Sequence, residues 1–341
     1  MTLAAPSPGT PSPAREAGID LLRVVGVIAV VAGHVFEGPW VQRGIYGWHV
    51  PLFFFLSGYF WSRGRTLAEE AARRSRALLR PYVFWLSVIG VPFVALRLLE
   101  GQGAKDAALP LVLGGAYLTR PFSAFWFVTA LFAACLAFRL LERQSMPVKA
   151  GVVAAALLAC QLAPRYVAHV PAAVGTAFAA LVFMYAGQCA RAFGPQLPTV
   201  WIGWAALAVG GVLAGGGTLL PLDLKQALFG TPVASVAAAI LICAGLTRLA
   251  ETYGALVPPR AGRWISSLAQ SAIMVVLSHS AVLEVLGTRS ETWWPGFPLA
   301  LGVPWAIGLL LLGTPAAPWV LGVERVKGLG GRRRLSPPRA R

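Results

Sequence analysis

Between positions 18 and 61 the chain reads GIDLLRVVGVIAVVAGHVFEGPWVQRGIYGWHVPLFFFLSGYFW. This stretch holds two apolar runs, 19–36 and 45–61, each about long enough to cross a bilayer. Both carry residues that hydrocarbon rejects: Asp20, Arg23 and His34 in the first, His49 at the mouth of the second. An ionisable side chain at the centre of a span costs about 2.5–3.5 kcal/mol on insertion scales, so its presence marks a candidate functional site. Arg23 and His34 stand 11 positions apart. At about 100° per residue that spacing returns to within about 20° of one helix face, about 16.5 Å further along. Asp20, three residues before Arg23, falls close to the same stripe.

The rest of the chain continues the pattern. Hydrophobic residues make up 57%, charged residues only 12%, and mean hydropathy is +0.68. A soluble globular domain, with about 25% charged residues, is excluded. Residues 1–17, rich in Pro, Ser and Ala, lack the basic and apolar regions of a signal peptide and read as a disordered tail. The basic stretch 62–80 has helical spacing and predicts a helix on the membrane surface. A third span is expected at 81–99, and 100–122, with Gly101, Gly103, Pro110 and Pro121, as a connecting loop. Further spans are expected at 123–141, 148–163, 172–191, 199–217, 227–249, 266–287 and 298–313, before a basic tail at 323–341. The expected fold is therefore all-α and integral to the membrane, with about ten transmembrane helices over 18–322 and both termini cytoplasmic.

Charge placement supports that topology. With the N-terminus inside, 22 of the 29 Lys and Arg residues fall in cytoplasmic regions and 7 outside, the positive-inside pattern. The net charge of +16 is thus explained by topology, and no zinc-finger, helix-turn-helix or RNA-binding motif points to nucleic acid. Cys135, Cys160, Cys189 and Cys243 lie in apolar runs without metal-type spacing and read as packing residues. No Walker loop, Rossmann fingerprint, HExxH or metal-ligand cluster appears, so no bound cofactor or metal is expected.

Residues 19–34, IDLLRVVGVIAVVAGH, carry an Arg-x10-His pattern that resembles the acyltransferase 3 family of integral-membrane O-acyltransferases. Residues 46–60, YGWHVPLFFFLSGYF, resemble the second-helix signature of its fucose 4-O-acetylase-like branch. Weaker echoes occur in RALLRPY (76–82), FWFVTALF (125–132), FMYAGQ (183–188) and SSLAQSAIMVVLSHSAVL (266–283). The resemblance implies transfer of an acyl group, acetyl foremost, from cytoplasmic acyl-CoA (acetyl-CoA) to a hydroxyl of a sugar, surface glycan or glycoside, in the inner (cytoplasmic) cell membrane. It implies His34 as the base and Arg23 as the residue that positions the donor.

Each candidate has a plainer reading beside the functional one. Acyl transfer to a hydroxyl needs a base, and histidine is the usual choice; a lone buried His can equally cap a carbonyl. Arg23 can bind a donor phosphate or snorkel to the interface. Asp20 reads as the partner of Arg23 or as a charge at the helix start. His49 is evenly divided between structure and function. Ser57 has no Gly-x-Ser-x-Gly elbow to make it a nucleophile, and Gly58 reads as a packing notch. Arg73, Arg74, Arg76 and Arg80 suit either lipid headgroups or the phosphates of coenzyme A, with Arg80 nearest the bilayer. Trp126 is an interfacial anchor or a pocket residue, and His279 a packing histidine or a substrate contact. The rival classes are a non-catalytic transporter or flippase for a glycolipid or glycoside, and a structural membrane partner. No internal repeat relates the two halves, which weakens the transporter reading.

Overall fold

The computed structural model describes residues 13–194 and 200–325. Among these the chain is helical throughout, with a single isolated bridge between Asp223 and Leu228. The helices in order are α1 (Pro13–Val35), α2 (Pro39–Gly44), α3 (His49–Tyr59), α4 (Leu67–Arg74), α5 (Arg80–Leu99), α6 (Ala104–Leu113) and α7 (Phe125–Leu141). They continue with α8 (Met146–Leu162), α9 (Pro164–Ala168), α10 (Val174–Phe193), α11 (Val200–Gly215), α12 (Ala234–Tyr253), α13 (Pro259–Val285), α14 (Trp293–Leu311) and α15 (Ala317–Val320). Among the described residues six helical segments are long and apolar enough to cross a bilayer: those of α1, α4–α5, α10, α12, α13 and α14. α7, α8 and α11 are shorter apolar helices, and α3 has only 11 residues. The protein is a multi-pass membrane protein.

α1 is the axial helix. It packs against α13, α12, α3 and α14, and two thirds of its apolar window is buried, whereas only 6% of the equivalent window of α5 is. α5 instead turns Val83, Val91 and Leu99 outward, as expected of a helix facing lipid. α3 packs closely on α10, and two glycines make it possible. A Cβ on Gly58 would lie 1.9 Å from the Met184 carbonyl oxygen, and one on Gly187 would lie 2.0 Å from that of Phe55. Small residues let backbones approach where helices have no hydrophobic drive to associate. Gly58 is thus the notch the sequence suggested. Around it Leu52, Phe54, Phe55, Leu181, Phe183 and Met184 form the centre of the core.

Several boundaries differ from the sequence expectation. α1 starts at Pro13, within the stretch read as a disordered tail; residues 1–12 lie outside the described residues, as does most of the basic tail, 326–341. The segment 100–122 is not merely a loop, because α6 continues through Pro110. The eighth span begins at Ala234, not 227, because 216–233 folds over the end of the bundle. There Leu220 N donates to Thr231 Oγ1 at 2.9 Å, and Ser235 Oγ donates to the Leu220 carbonyl at 2.7 Å. All four cysteines are free; three are buried, but Cys189 is exposed and packs no core.

The two ends of the bundle carry different chemistry. One end gathers His34, His49 and the loops 118–124 and 216–233. The other carries α4, whose start is closed by a capping box: Thr66 Oγ1 accepts from Glu69 N at 3.2 Å, and Glu69 Oε2 accepts from Thr66 N at 2.7 Å. A wide turn at Ser75–Leu79 then joins α4 to α5. α4 is amphipathic and arginine-rich, in line with a surface helix, and is tied down by a buried carboxylate. Glu70, fully buried, accepts from Arg73 (2.6 Å), Arg74 (2.8 Å) and Arg139 of α7 (3.1 Å). A buried charge persists only when paired, and here three guanidinium groups hydrogen-bond one carboxylate, with that of Arg65 3.6 Å away. Arg139 also donates to Glu142 and lies 4.3 Å above the Trp61 ring.

Candidate active site

At the histidine end a cavity of about 200 Å³ opens between α1, α3, the start of α7 and the folded loop. α1 contributes Val30 and His34, and the α2–α3 region contributes Tyr46, His49, Val50 and Phe53. The loop before α7 supplies Ser123 and Ala124, and α7 itself Trp126 and Phe127; the folded loop supplies residues 222–225; and α13 closes the wall with Val276. Helical geometry decides which α1 residues appear. Arg23, Val27, Val30 and His34 follow a 4, 3, 4 spacing, which is one stripe of an α-helix.

The histidine chemistry follows from one hydrogen bond. His34 Nδ1 lies 2.8 Å from the Val30 carbonyl oxygen. A carbonyl only accepts, so Nδ1 carries the proton and donates, leaving Nε2 with a basic lone pair. His49 is held alike, donating Nδ1–H to the Ile45 carbonyl at 2.8 Å, with the Tyr46 ring 5.1 Å away. His279 donates to the Val275 carbonyl at 2.8 Å and meets the His34 ring edge to face. His279 is fully buried and does not line the cavity, so it supports His34 from behind.

Cations surround this end. Arg120 donates to the His34 carbonyl at 2.6 Å and the Thr288 carbonyl at 2.9 Å, joining the ends of α1 and α13. Lys225 lines the cavity and donates to the Leu118 carbonyl, which fastens the folded loop to the segment before α7. Burial lowers the Lys225 ammonium below the usual lysine range, against the opposing pull of Asp223. Burial raises the Asp223 carboxyl, against the backbone N–H donors of Gln226 and Lys225. Two charged groups of opposite sign therefore face the same small space as His34 and His49.

A second cavity, of about 300 Å³, lies at the arginine end. Its walls include Arg23 and Val27 of α1, Leu56, Ser57 and Phe60 of the α3 segment, and Arg73 and Arg74 of α4. Asp20 is the partner of Arg23, accepting from its Nη1 at 2.7 Å and, at the other oxygen, from Ser266 Oγ at 2.7 Å. The Arg23 guanidinium also lies 5.5 Å from the Phe60 ring. A larger cavity, about 490 Å³, opens between α10, α11 and α12, but none of the ionisable residues of the α1 face lines it.

The structure thus sorts the sequence candidates. His34, His49 and Trp126 border one cavity, while Arg23 and Ser57 border the other. Arg76 and Arg80 border neither; Arg80 lies 5.3 Å from the Trp319 ring, so Arg73 and Arg74 are the cavity-lining arginines of that segment. Asp223, Lys225 and Arg120 did not stand out in the sequence, where the two cations counted only as outer-loop charges. The signal was an acid and a base two positions apart within a long apolar stretch.

A family model described as an acyltransferase domain matches residues 16–323. The chain belongs to the acyltransferase 3 family. It is also 24% identical over 164 residues to the nodulation protein NolL of Mesorhizobium japonicum, a match covering 44% of this chain and 42% of that protein. The chain therefore aligns with less than half the length of that relative. No solved structure matches significantly. The family match spans every helix that builds the two cavities, from α1 to α15.

Proposed function

We propose that this acyltransferase 3 member moves an acyl group, acetyl foremost, from acyl-CoA to a hydroxyl of a sugar, surface glycan or glycoside. The observation that carries this reading is the α1 stripe. Arg23 and Val27 line the arginine-end cavity, Val30 and His34 line the histidine-end cavity, and the two cavities share Phe53, Phe127 and Val276 as walls. Cationic residues at one end suit the phosphates of coenzyme A. From there the slender arm of the donor runs along α1 to His34, about 16.5 Å away by helix rise. The second-helix signature around His49 favours a sugar acceptor.

The reaction then balances as a direct transfer. The acceptor hydroxyl oxygen attacks the thioester carbonyl carbon while His34 Nε2 takes the hydroxyl proton. Negative charge develops on the carbonyl oxygen, where the Lys225 ammonium supplies compensating charge. The C–S bond breaks, the ester remains on the acceptor, and the imidazolium returns its proton to the departing thiolate. His49 and Asp223, which line the same cavity, hold acceptor hydroxyls.

We further propose ten spans, with α3, α7, α8 and α11 added to the six long segments, in the inner (cytoplasmic) membrane. Both termini then lie in the cytoplasm, the arginine end faces inward and the histidine end outward. The test is the mass of surface glycans from cells with and without the protein, which should differ by one acetyl group per modified site. A transporter or flippase would move its glycolipid without changing that mass and without releasing CoA thiol.

A further inference from the structure

The two cavities are separated by very little. Phe53 and Phe127 meet edge to face with ring centroids 5.5 Å apart, and both rings border both cavities, with Val276 of α13 beside them. The two phenylalanines are only half-buried although they sit in the middle of the bundle, because empty space lies to either side of them.

The two rings are supported differently. Phe127 is wedged from behind by Phe54, at 5.7 Å and nearly perpendicular, and by Trp126 at 6.4 Å. Phe53 rests against Gly26 of α1, where a Cβ would lie 3.0 Å from its Cζ atom. The absence of a side chain at position 26 is what gives that ring its room. Phe127 is a fixed post, and Phe53 is the leaf with space to swing.

We propose that Phe53 and Phe127 form an aromatic gate across the donor's path, and that by closing off the histidine-end cavity it sets the longest acyl group this protein transfers. This inference rests on the acyl-CoA reading above. The acyl group is the leading end of the donor arm, so it must enter between the rings before the thioester reaches His34. Beyond the gate it shares about 200 Å³ with the acceptor hydroxyl. One methylene in an apolar pocket discriminates by about 10–200-fold, so a cavity of this size, bounded by the two rings, separates acetyl from longer chains.

The experiment uses inverted membrane vesicles carrying the full-length protein, supplied with acetyl-, butyryl- or octanoyl-CoA. Release of CoA thiol above a His34→Gln background is followed, together with acyl groups appearing on glycan by mass. Wild type should favour acetyl. Phe53→Ala should raise the butyryl-to-acetyl ratio at least about tenfold, whereas Gly26→Ala, which crowds the leaf, should slow every donor and the longest most. Phe53→Leu serves the same purpose as Phe53→Ala if the alanine variant does not reach the membrane. An unchanged ratio in a folded Phe53 variant would overturn the gate while leaving the acyl-CoA reading intact. A wild-type protein that releases no thiol from any of the three donors would overturn both.

Discussion

The His34 and His279 rings meet edge to face with centroids 4.8 Å apart, where α1 packs on α13. Each donates its Nδ1 proton to a carbonyl one turn back, Val30 for His34 and Val275 for His279. They differ in access. His34 borders the cavity, whereas His279 is fully buried and its Nε2 has no hydrogen-bond partner among the described residues. Under the proposed function one ring transfers the proton and the other holds that ring in position.

His34→Gln should therefore abolish most transfer. Removing a positioned general base costs about 10²–10⁴-fold in rate, while the amide can still bond the Val30 carbonyl. The variant should reach the membrane in normal amount, and thiol release should fall by that factor. Full activity in purified His34→Gln protein would move the base to His49.

His279→Ala removes the support without touching the cavity wall. A misplacement of about 1 Å at the reacting group costs up to about 10²-fold, so kcat should fall between about 10- and 100-fold with KM for acyl-CoA little changed. His279→Phe, which restores a flat ring against His34, should recover most of the loss. If His279 only fills space, the folded fraction should fall and kcat per folded molecule should not.

Arg73 and Arg74 line the arginine-end cavity, whereas Arg76 and Arg80 do not. A hydrogen bond to a charged group is worth about 1.5–3 kcal/mol, so Arg74→Gln should raise KM for acyl-CoA about tenfold or more. Arg76→Gln and Arg80→Gln should leave that constant near wild type. Because Arg74 also bonds Glu70, thermal stability should be measured on the same samples. Equal KM values for all three variants would remove the phosphate role of α4.

Topology gives a test independent of activity. Reporter fusions after Arg80, Arg143, Arg191 and the C-terminus should report cytoplasm, and one near Lys105 should report the outside. A C-terminal fusion found outside would refute the ten-span arrangement and turn the two cavities the other way round.

Much of this protein was legible in the order of its residues. Apolar runs interrupted by glycine, proline and charge state that the chain is helical and lies in a bilayer, because backbone in hydrocarbon must satisfy its own hydrogen bonds. The 11-residue spacing of Arg23 and His34 places them on one face, because helix periodicity is local and needs no neighbour. The pairing of Asp20 with Arg23 and the notch at Gly58 follow from the same short-range rules. Other features depended on which helices become neighbours. Nothing local to position 225 says that Lys225 returns to the cavity of His34, nor to position 279 that His279 backs the same ring. Sequence spacing alone likewise could not choose Arg73 and Arg74 over Arg76 and Arg80, since that depends on how Glu70 docks α4 against Arg139. Periodicity settles which way a side chain leaves its own helix. What it meets there is decided by packing between helices far apart in the chain, and the two cavities with their shared aromatic wall exist only at that level.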